Sequence, residues 1–396
     1  MKKFMVTVGS FIILLFLGLI YAWSIFATPL ELEYGWSRAQ TSLTFTISIS
    51  MFCIGGLVVS QLKKKINITL ILLINAILIL VGFVLTSRVD ALWELYVYYG
   101  VICGFAVGST YNCVISVIPL YYPKKVGTIS GIMLLAFGLG GFVLGMVAKK
   151  LLHYFPADQW GKAFLWIGIA FFVVFAIFMF FIKPPKADES LSDTSGDVSA
   201  EAGYTAGKML KHPYFWTFFI WQSFMNAMGI SLIGQAAQIA TEVKVPEVFF
   251  ALAVGIASVS SGLGKMLFGF VFDLKGRHFA LTLASFTGFC GAALAVISTV
   301  ANLPLLFFVA LILGGLAYGS GPACGATFTR KQFGNAHFSV NFALSTLALF
   351  VAAFIGNYMV GGLQKITGSY VIPLTILVCY TVIAGFAAQF MKKDKI

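Results

Sequence analysis

Long apolar runs alternate with short polar stretches along the whole chain. The runs show neither the two-residue alternation of a half-buried strand nor the single apolar stripe of a surface helix. They are apolar on every side, the pattern of helices that face lipid. Twelve runs follow one another at about 8–30, 39–61, 67–87, 93–120, 127–149, 162–182, 212–240, 248–272, 278–300, 304–328, 338–362 and 370–391. With a rise of 1.5 Å per residue, each can cross a hydrocarbon core about 30 Å thick. The longest polar stretch is 183–211, running from Lys183-Pro184-Pro185 through a Ser-, Asp- and Glu-rich segment. Its composition predicts a cytoplasmic linker with a short amphipathic helix near Tyr204–Leu210. The expected organisation is therefore an all-α membrane protein, with six spans in 1–182, a linker over 183–211 and six spans in 212–396.

Composition sharpens this picture by exclusion. Of the 396 residues, 60% are hydrophobic and 10% charged, against about 25% charged in an average soluble domain. The formal net charge of +12 would suit a nucleic-acid binder only if the cations formed a face in water, and here they are scattered between apolar runs. The opening Met1-Lys2-Lys3 imitates a signal peptide. Its apolar run continues to about Leu30 without a cleavage site, so it reads as a retained first span. Eighteen of the 26 Lys and Arg fall in the even-numbered loops and at the two ends, among them Lys63-Lys64-Lys65, Lys124-Lys125 and Arg330-Lys331. That bias predicts a multi-pass protein of the cell membrane with both termini cytoplasmic.

The two halves echo one another. Gly104-Phe-Ala-Val-Gly108-Ser109 in span 4 returns as Gly315-Leu-Ala-Tyr-Gly319-Ser320 in span 10, offset by 211 residues. Gly56-Leu-Val-Val-Ser60-Gln-Leu-Lys63 returns as Gly269-Phe-Val-Phe-Asp273-Leu-Lys-Gly276-Arg277, offset by 213. Duplicated six-span halves are a transporter signature, with the substrate held near the midplane.

The remaining charges carry the chemistry. All 14 acidic residues map to loops or helix ends, whereas one cation, Lys265, sits well inside span 8. It lies eight residues, about 12 Å, before Asp273. A lysine at mid-span costs about 2.5–3.5 kcal/mol on insertion scales. A carboxylate about 4 Å away, at an effective dielectric near 20, would recover roughly 4 kcal/mol. An incoming anion is thus the natural partner, and the alternative is a lysine whose stem snorkels toward the headgroups. Ser261 and Ser258 lie one and two turns back on the same face. Tyr21, Tyr111, Gln222, Asn226 and Tyr318 are further polar residues within spans, suited either to a cavity or to interhelical hydrogen bonds. The Gly138-x-Gly140-Gly141-x-x-x-Gly145 run of span 5 predicts close helix approach. With no buried acid, and with His153, His212, His278 and His337 at span ends, a side-chain proton relay is not apparent. Exchange of anions, or entry of an anion with a proton, fits better. The six cysteines lie in apolar runs without metal-ligand spacing. No cofactor, metal or obligatory protein partner is implied, and no constellation for enzyme chemistry is present.

The segment Gly269-x-x-x-Asp273-x-x-Gly276-Arg277 resembles the loop signature of the major facilitator superfamily. In the first half, Ser60 stands where the Asp would be. Within that superfamily the chain is similar to the oxalate/formate antiporter family, a relative of the monocarboxylate transporters. The similarity runs through Tyr21-Ala-Trp23-Ser24-x-Phe26-x-x-Pro29-Leu30, Gly35-Trp36-Ser37-Arg38 and Tyr121-Tyr122-Pro123-x-Lys125-x-Gly127-x-x-x-Gly131. It continues in Met209-Leu-Lys-x-Pro213-x-Phe215-Trp216 and Phe333-Gly334-Asn335. The resemblance implies two pseudo-symmetric six-helix bundles and a cation in span 8, normally arginine, that contacts the substrate carboxylate. Lys265 occupies that position and keeps the charge without the bidentate fork. The family's oxalate carriers add a lysine in span 11, and the corresponding position falls on or near Leu349. One cation in place of two favours a monocarboxylate over a dianion. The resemblance also makes Tyr21, Tyr111 and Tyr318 pocket-lining aromatics. The expected activity is secondary transport of a small organic anion of the formate, lactate or pyruvate type, by antiport or proton symport. Lys265, Tyr111, Tyr318, Tyr21, Asn226 and Ser261 are the expected substrate residues, and Gly269, Asp273, Gly276 and Arg277 the expected gating loop. Efflux of amphipathic compounds and oxalate-type dicarboxylate exchange are the alternatives.

Overall fold

The computed structural model describes residues 2–156, 159–185 and 203–391, and every regular element among them is helical. Ten helical stretches are long and apolar enough to cross a membrane. One of these, Phe250–Ala301, contains both span 8 and span 9. Span 7 is the remaining crossing, built from Pro213–Gly234 and Ala236–Glu242 with an interruption at Gln235. All twelve predicted runs are thus helices. Span 1 extends beyond its predicted limits as Lys2–Leu17, a tighter turn over Gly18–Ala22, and Trp23–Tyr34.

Local chemistry sets the boundaries. Gly35, at φ 66°, closes span 1 in the left-handed region that a glycine enters without steric cost. Two residues later Ser37 and Gln40 form a reciprocal capping box that starts Arg38–Leu62. Beside this turn the Tyr34 hydroxyl donates to the Val89 carbonyl at 2.6 Å, and its ring stacks on Trp36 at 4.5 Å. Asn67 accepts from the Thr69 amide at 2.9 Å and caps span 3. His212 caps span 7 through Nδ1, ahead of Pro213 at the first helical position. The break between spans 8 and 9 is Gly276, at φ 80° and ψ 174°.

Within the spans the sidedness is inverted relative to a water-soluble helix. In Ile68–Thr86 the large residues Leu70, Ile74, Ile77 and Val81 point outward, while Asn75, Ala76 and Gly82 turn inward. Lipid is as apolar as leucine, so close packing and internal hydrogen bonds decide which face is buried. Asn75 Nδ2 accordingly donates to Ser109 Oγ of span 4 at 2.8 Å. Two segments relax into π-helix, Tyr96–Cys103 in span 4 and Ala353–Tyr358 in span 11.

By internal contacts the chain forms two units. The first comprises Met1–Pro123 and Ala136–Val198, and the second Lys124–Leu135 and Ser199–Ile396. The first turns of span 5 (Val126–Tyr154) thus belong with the second unit. In the first unit, Gly140 lies against Leu15 and Gly18, and Gly141 against Tyr21. The glycine run of span 5 therefore does bring spans 1 and 5 together. Of the linker expected over 183–211, residues 186–202 lie outside the described residues. Its end is a five-residue helix, Ala206–Leu210. The Tyr204 amide donates to the Phe333 carbonyl at 2.8 Å, and Asn341 Nδ2 donates to the Tyr204 carbonyl at 2.8 Å.

Candidate functional site

In the second unit, Lys265 is one of the largest fully buried side chains, at 1% exposure. Its burial follows from how spans 8 and 10 meet. Gly315 lies against Ala257, Ser260 and Ser261, and Gly319 against Ser261 and the Lys265 backbone. A Cβ at Gly264 would collide with Leu316. Small residues on both helices let the backbones approach until the Lys265 side chain has left solvent. Its Nζ lies 5.9 Å from the centre of the Tyr318 ring, within the range of a cation–π contact. Tyr318 is itself 3% exposed. Gly229 of span 7 makes room for it, since a Cβ there would overlap the Tyr318 side chain.

Asn226 stands one turn before Gly229 and is 1% exposed, with its Oδ1 against Gly321 of span 10. One turn further back, Gln222 is committed at both ends. Its Nε2 donates to the Gly321 carbonyl at 3.2 Å, and its Oε1 accepts from Ser345 at 2.9 Å. Four expected substrate residues, Lys265, Ser261, Tyr318 and Asn226, therefore occupy the facing surfaces of spans 7, 8 and 10. Leu349, where a second cation would stand in an oxalate carrier, is buried and apolar.

The other two expected substrate residues meet in the first unit. Tyr21 lies edge-on to Phe137 at 5.3 Å, and Tyr111 lies 5.2 Å from the same ring. Phe52 completes the cluster, 5.0 Å from Tyr111 and 6.1 Å from Phe137. Phe52 and Phe137 did not stand out in the sequence, because forty phenylalanines spread through lipid-facing runs conceal two that line an interior cluster.

The loop signature forms a hydrogen-bonded cluster in the second unit. Asp273 accepts from the Thr128 amide at 2.8 Å and from Thr128 Oγ1 at 3.2 Å, at the start of span 5. It also pairs with Lys331 at the end of span 10, at 2.9 Å. Gly269 and Gly127 touch backbone to backbone beneath it. A carboxylate at the first turn of a helix meets both unsatisfied amides and the positive end of the helix dipole. Gly276 supplies the break, and Arg277 follows with Nη1 donating to Gln332 Oε1 at 2.8 Å and its guanidinium 5.0 Å from the Tyr214 ring. In the first half, the Ser60 hydroxyl turns back to its own helix at the Leu57 carbonyl, and Lys63 reaches Ser116 Oγ instead.

The sequence model of the Major Facilitator Superfamily matches residues 7–357. The chain belongs to this superfamily. It is similar to the oxalate:formate antiporter of Oxalobacter formigenes, 24% identical over 347 residues that cover 86% of this chain and 79% of that protein. It is also similar to monocarboxylate transporter 13 of Bos taurus, 21% identical over 361 residues, covering 89% and 80%. Among solved structures it resembles the proton:xylose symporter XylE bound to 6-bromo-6-deoxy-D-glucose, with a TM-score of 0.76 at 16% identity over 99% of this chain and 95% of that one. Major facilitator membership and fold make this a multi-pass transporter rather than an enzyme. Small molecules are what members of the superfamily carry through the membrane.

Proposed function

We propose that this major facilitator protein carries a small organic anion, most favourably a monocarboxylate, by alternating access in the cell membrane with both termini cytoplasmic. The observation that carries the reading is Lys265, a cationic side chain removed from solvent at mid-span, with Tyr318 beneath it and Ser261 and Asn226 on the adjoining surfaces. A buried cation is costly, and an anion entering the site offsets much of that cost. The carboxylate would sit at Lys265 Nζ, with Tyr318 excluding water. Asp273, with Thr128 and Lys331, would act as a latch that releases and re-forms in each cycle, hinged at Gly269 and Gly276. The bundles 1–182 and 212–396 would rock about the bound anion.

The test is uptake of radiolabelled formate, lactate and pyruvate into proteoliposomes. Lys265→Gln, which keeps the stem and removes the charge, should abolish uptake of every acid transported by the parent while leaving expression and elution profile intact. Unaltered uptake by this variant would overturn the assignment. Similarity to an oxalate:formate antiporter supports a second reading, dicarboxylate exchange. Competition by oxalate that exceeds competition by lactate would favour it.

A further inference from the structure

Asn226 and Gln222, neighbours on one face of span 7, differ in how their amides are used. Gln222, one turn away, spends both ends of its amide inside the protein, on the Gly321 carbonyl and on Ser345. Asn226 is as deeply buried, and its Oδ1 has no hydrogen-bond partner among the described residues. A buried carbonyl left without a donor carries a desolvation penalty, so a protein seldom retains one at no purpose. Its place is also particular. Asn226 and Gly229 share one face of span 7, and Tyr318 and Gly321 share the facing surface of span 10, so Asn226 lies one turn from the ring that sits below Lys265 Nζ.

An asparagine amide presents an acceptor and a donor side by side. A 2-hydroxy carboxylate presents the complement: its hydroxyl donates, and a carboxylate oxygen accepts from the neighbouring amide hydrogen. A 2-oxo carboxylate offers acceptors at both places, which leaves Oδ1 without a donor and sets two oxygens against each other. Formate has no second group at all. We infer that Asn226 is the specificity-determining residue of this site, and that it selects monocarboxylates with a hydrogen-bond donor on the carbon next to the carboxylate. This rests on the reading of Lys265 as the carboxylate-binding cation. Binding sites built to pair a hydroxyl discriminate strongly against analogues that lack it, because the protein's own polar group is then stranded.

The experiment compares L-lactate and pyruvate, which differ only in this group, as substrates in proteoliposomes. The parent protein should favour lactate by about tenfold or more in kcat/KM, which is about 1.4 kcal/mol. Asn226→Leu, similar in volume and without polar atoms, should lose lactate transport by about tenfold more than it loses pyruvate transport, so that the preference collapses. Asn226→Ser, which restores an acceptor with less bulk, should recover part of the preference and covers the case in which the leucine variant fails to fold. Equal transport of both acids by the parent, with both lost in Lys265→Gln, would overturn this inference and leave the carboxylate reading standing. A preference that survives in both Asn226 variants would overturn it as well. Uptake of neither acid by the parent would overturn this inference, and formate uptake that is lost in Lys265→Gln would leave the carboxylate reading standing.

Discussion

A single methylene is enough to disturb the surroundings of Lys265, because the side chains there are seated on glycines. At Gly229 a Cβ would occupy the place of the Tyr318 side chain, and at Gly319 it would meet the Lys265 backbone. Overpacking of this kind typically costs about 1–3 kcal/mol. Gly229→Val should therefore lower the detergent-solubilised melting temperature and weaken substrate-induced stabilisation, read from the same thermal-shift curves. Gly207→Ala, at a position where a Cβ meets nothing, is the matched control. At this scale the sequence was informative wherever a residue contradicts its setting. Lys265 contradicts an apolar run and so was visible. Phe52, Phe137 and Gly229 agree with their runs, and only the fold distinguishes them from lipid-facing phenylalanines and ordinary packing glycines. Thr128 carries no signal of its own, since its role as donor to Asp273 exists only once spans 5 and 8 have met. Lys331 is visible as a charge, but in the sequence it is one of many cations in the loop bias that sets topology.

Among elements, the latch has parts of unequal strength. The bond from the Thr128 amide to the Asp273 carboxylate is charge-assisted and lies at a helix start, a setting worth about 1.5–3 kcal/mol. The pair with Lys331 is different, because Lys331 is 48% exposed, and such pairs typically contribute about 0–1 kcal/mol. Asp273→Asn should thus shift the conformational balance far more than Lys331→Ala. Alkylation rates of a single cysteine introduced at Thr128 would report this, rising sharply in the first background and little in the second. Equal rates in both backgrounds would count against the latch. Span positions were legible because length and hydropathy are local properties. The π-helical stretches Tyr96–Cys103 and Ala353–Tyr358, and the interruption at Gln235, were not. Such changes of winding are set by contacts with neighbouring helices, and no residue type marks them. The Gly35-Trp36-Ser37 turn lies between these cases: its conformation follows from its own residues, and Ser37 with Gln40 three residues on is a readable start signal.

For the whole molecule, the internal repeat predicts similar contacts at similar places, and part of this is seen. Gly104 and Gly108 bring span 4 against Ser48 and Phe52 of span 2, as Gly315 and Gly319 bring span 10 against span 8. By the offset of 213 residues Phe52 is the counterpart of Lys265 in the repeat, so the duplicated architecture holds an aromatic ring in one unit and a cation in the other. The proposed orientation has a direct check. Single cysteines at Ser369 and at Lys125, in a cysteine-depleted background, should react with a membrane-impermeant maleimide from outside and only after permeabilisation, respectively. The reverse pattern would invert the topology.

Span 10 contains one more feature of consequence. Pro322 lies inside the helix Pro304–Phe333, and without an amide hydrogen it removes one rung of the backbone ladder. Tyr318 stands on one side of that rung, and Lys331 on the other. The segment from Pro322 to Phe333 is a lever about 16 Å long, so a bend of about 10° at the proline would carry its tip roughly 3 Å. That displacement is comparable to the whole 2.9 Å separation of Lys331 and Asp273. Ligand contact at the tyrosine and rupture of the distant ion pair would then be two ends of a single mechanical stroke within one helix.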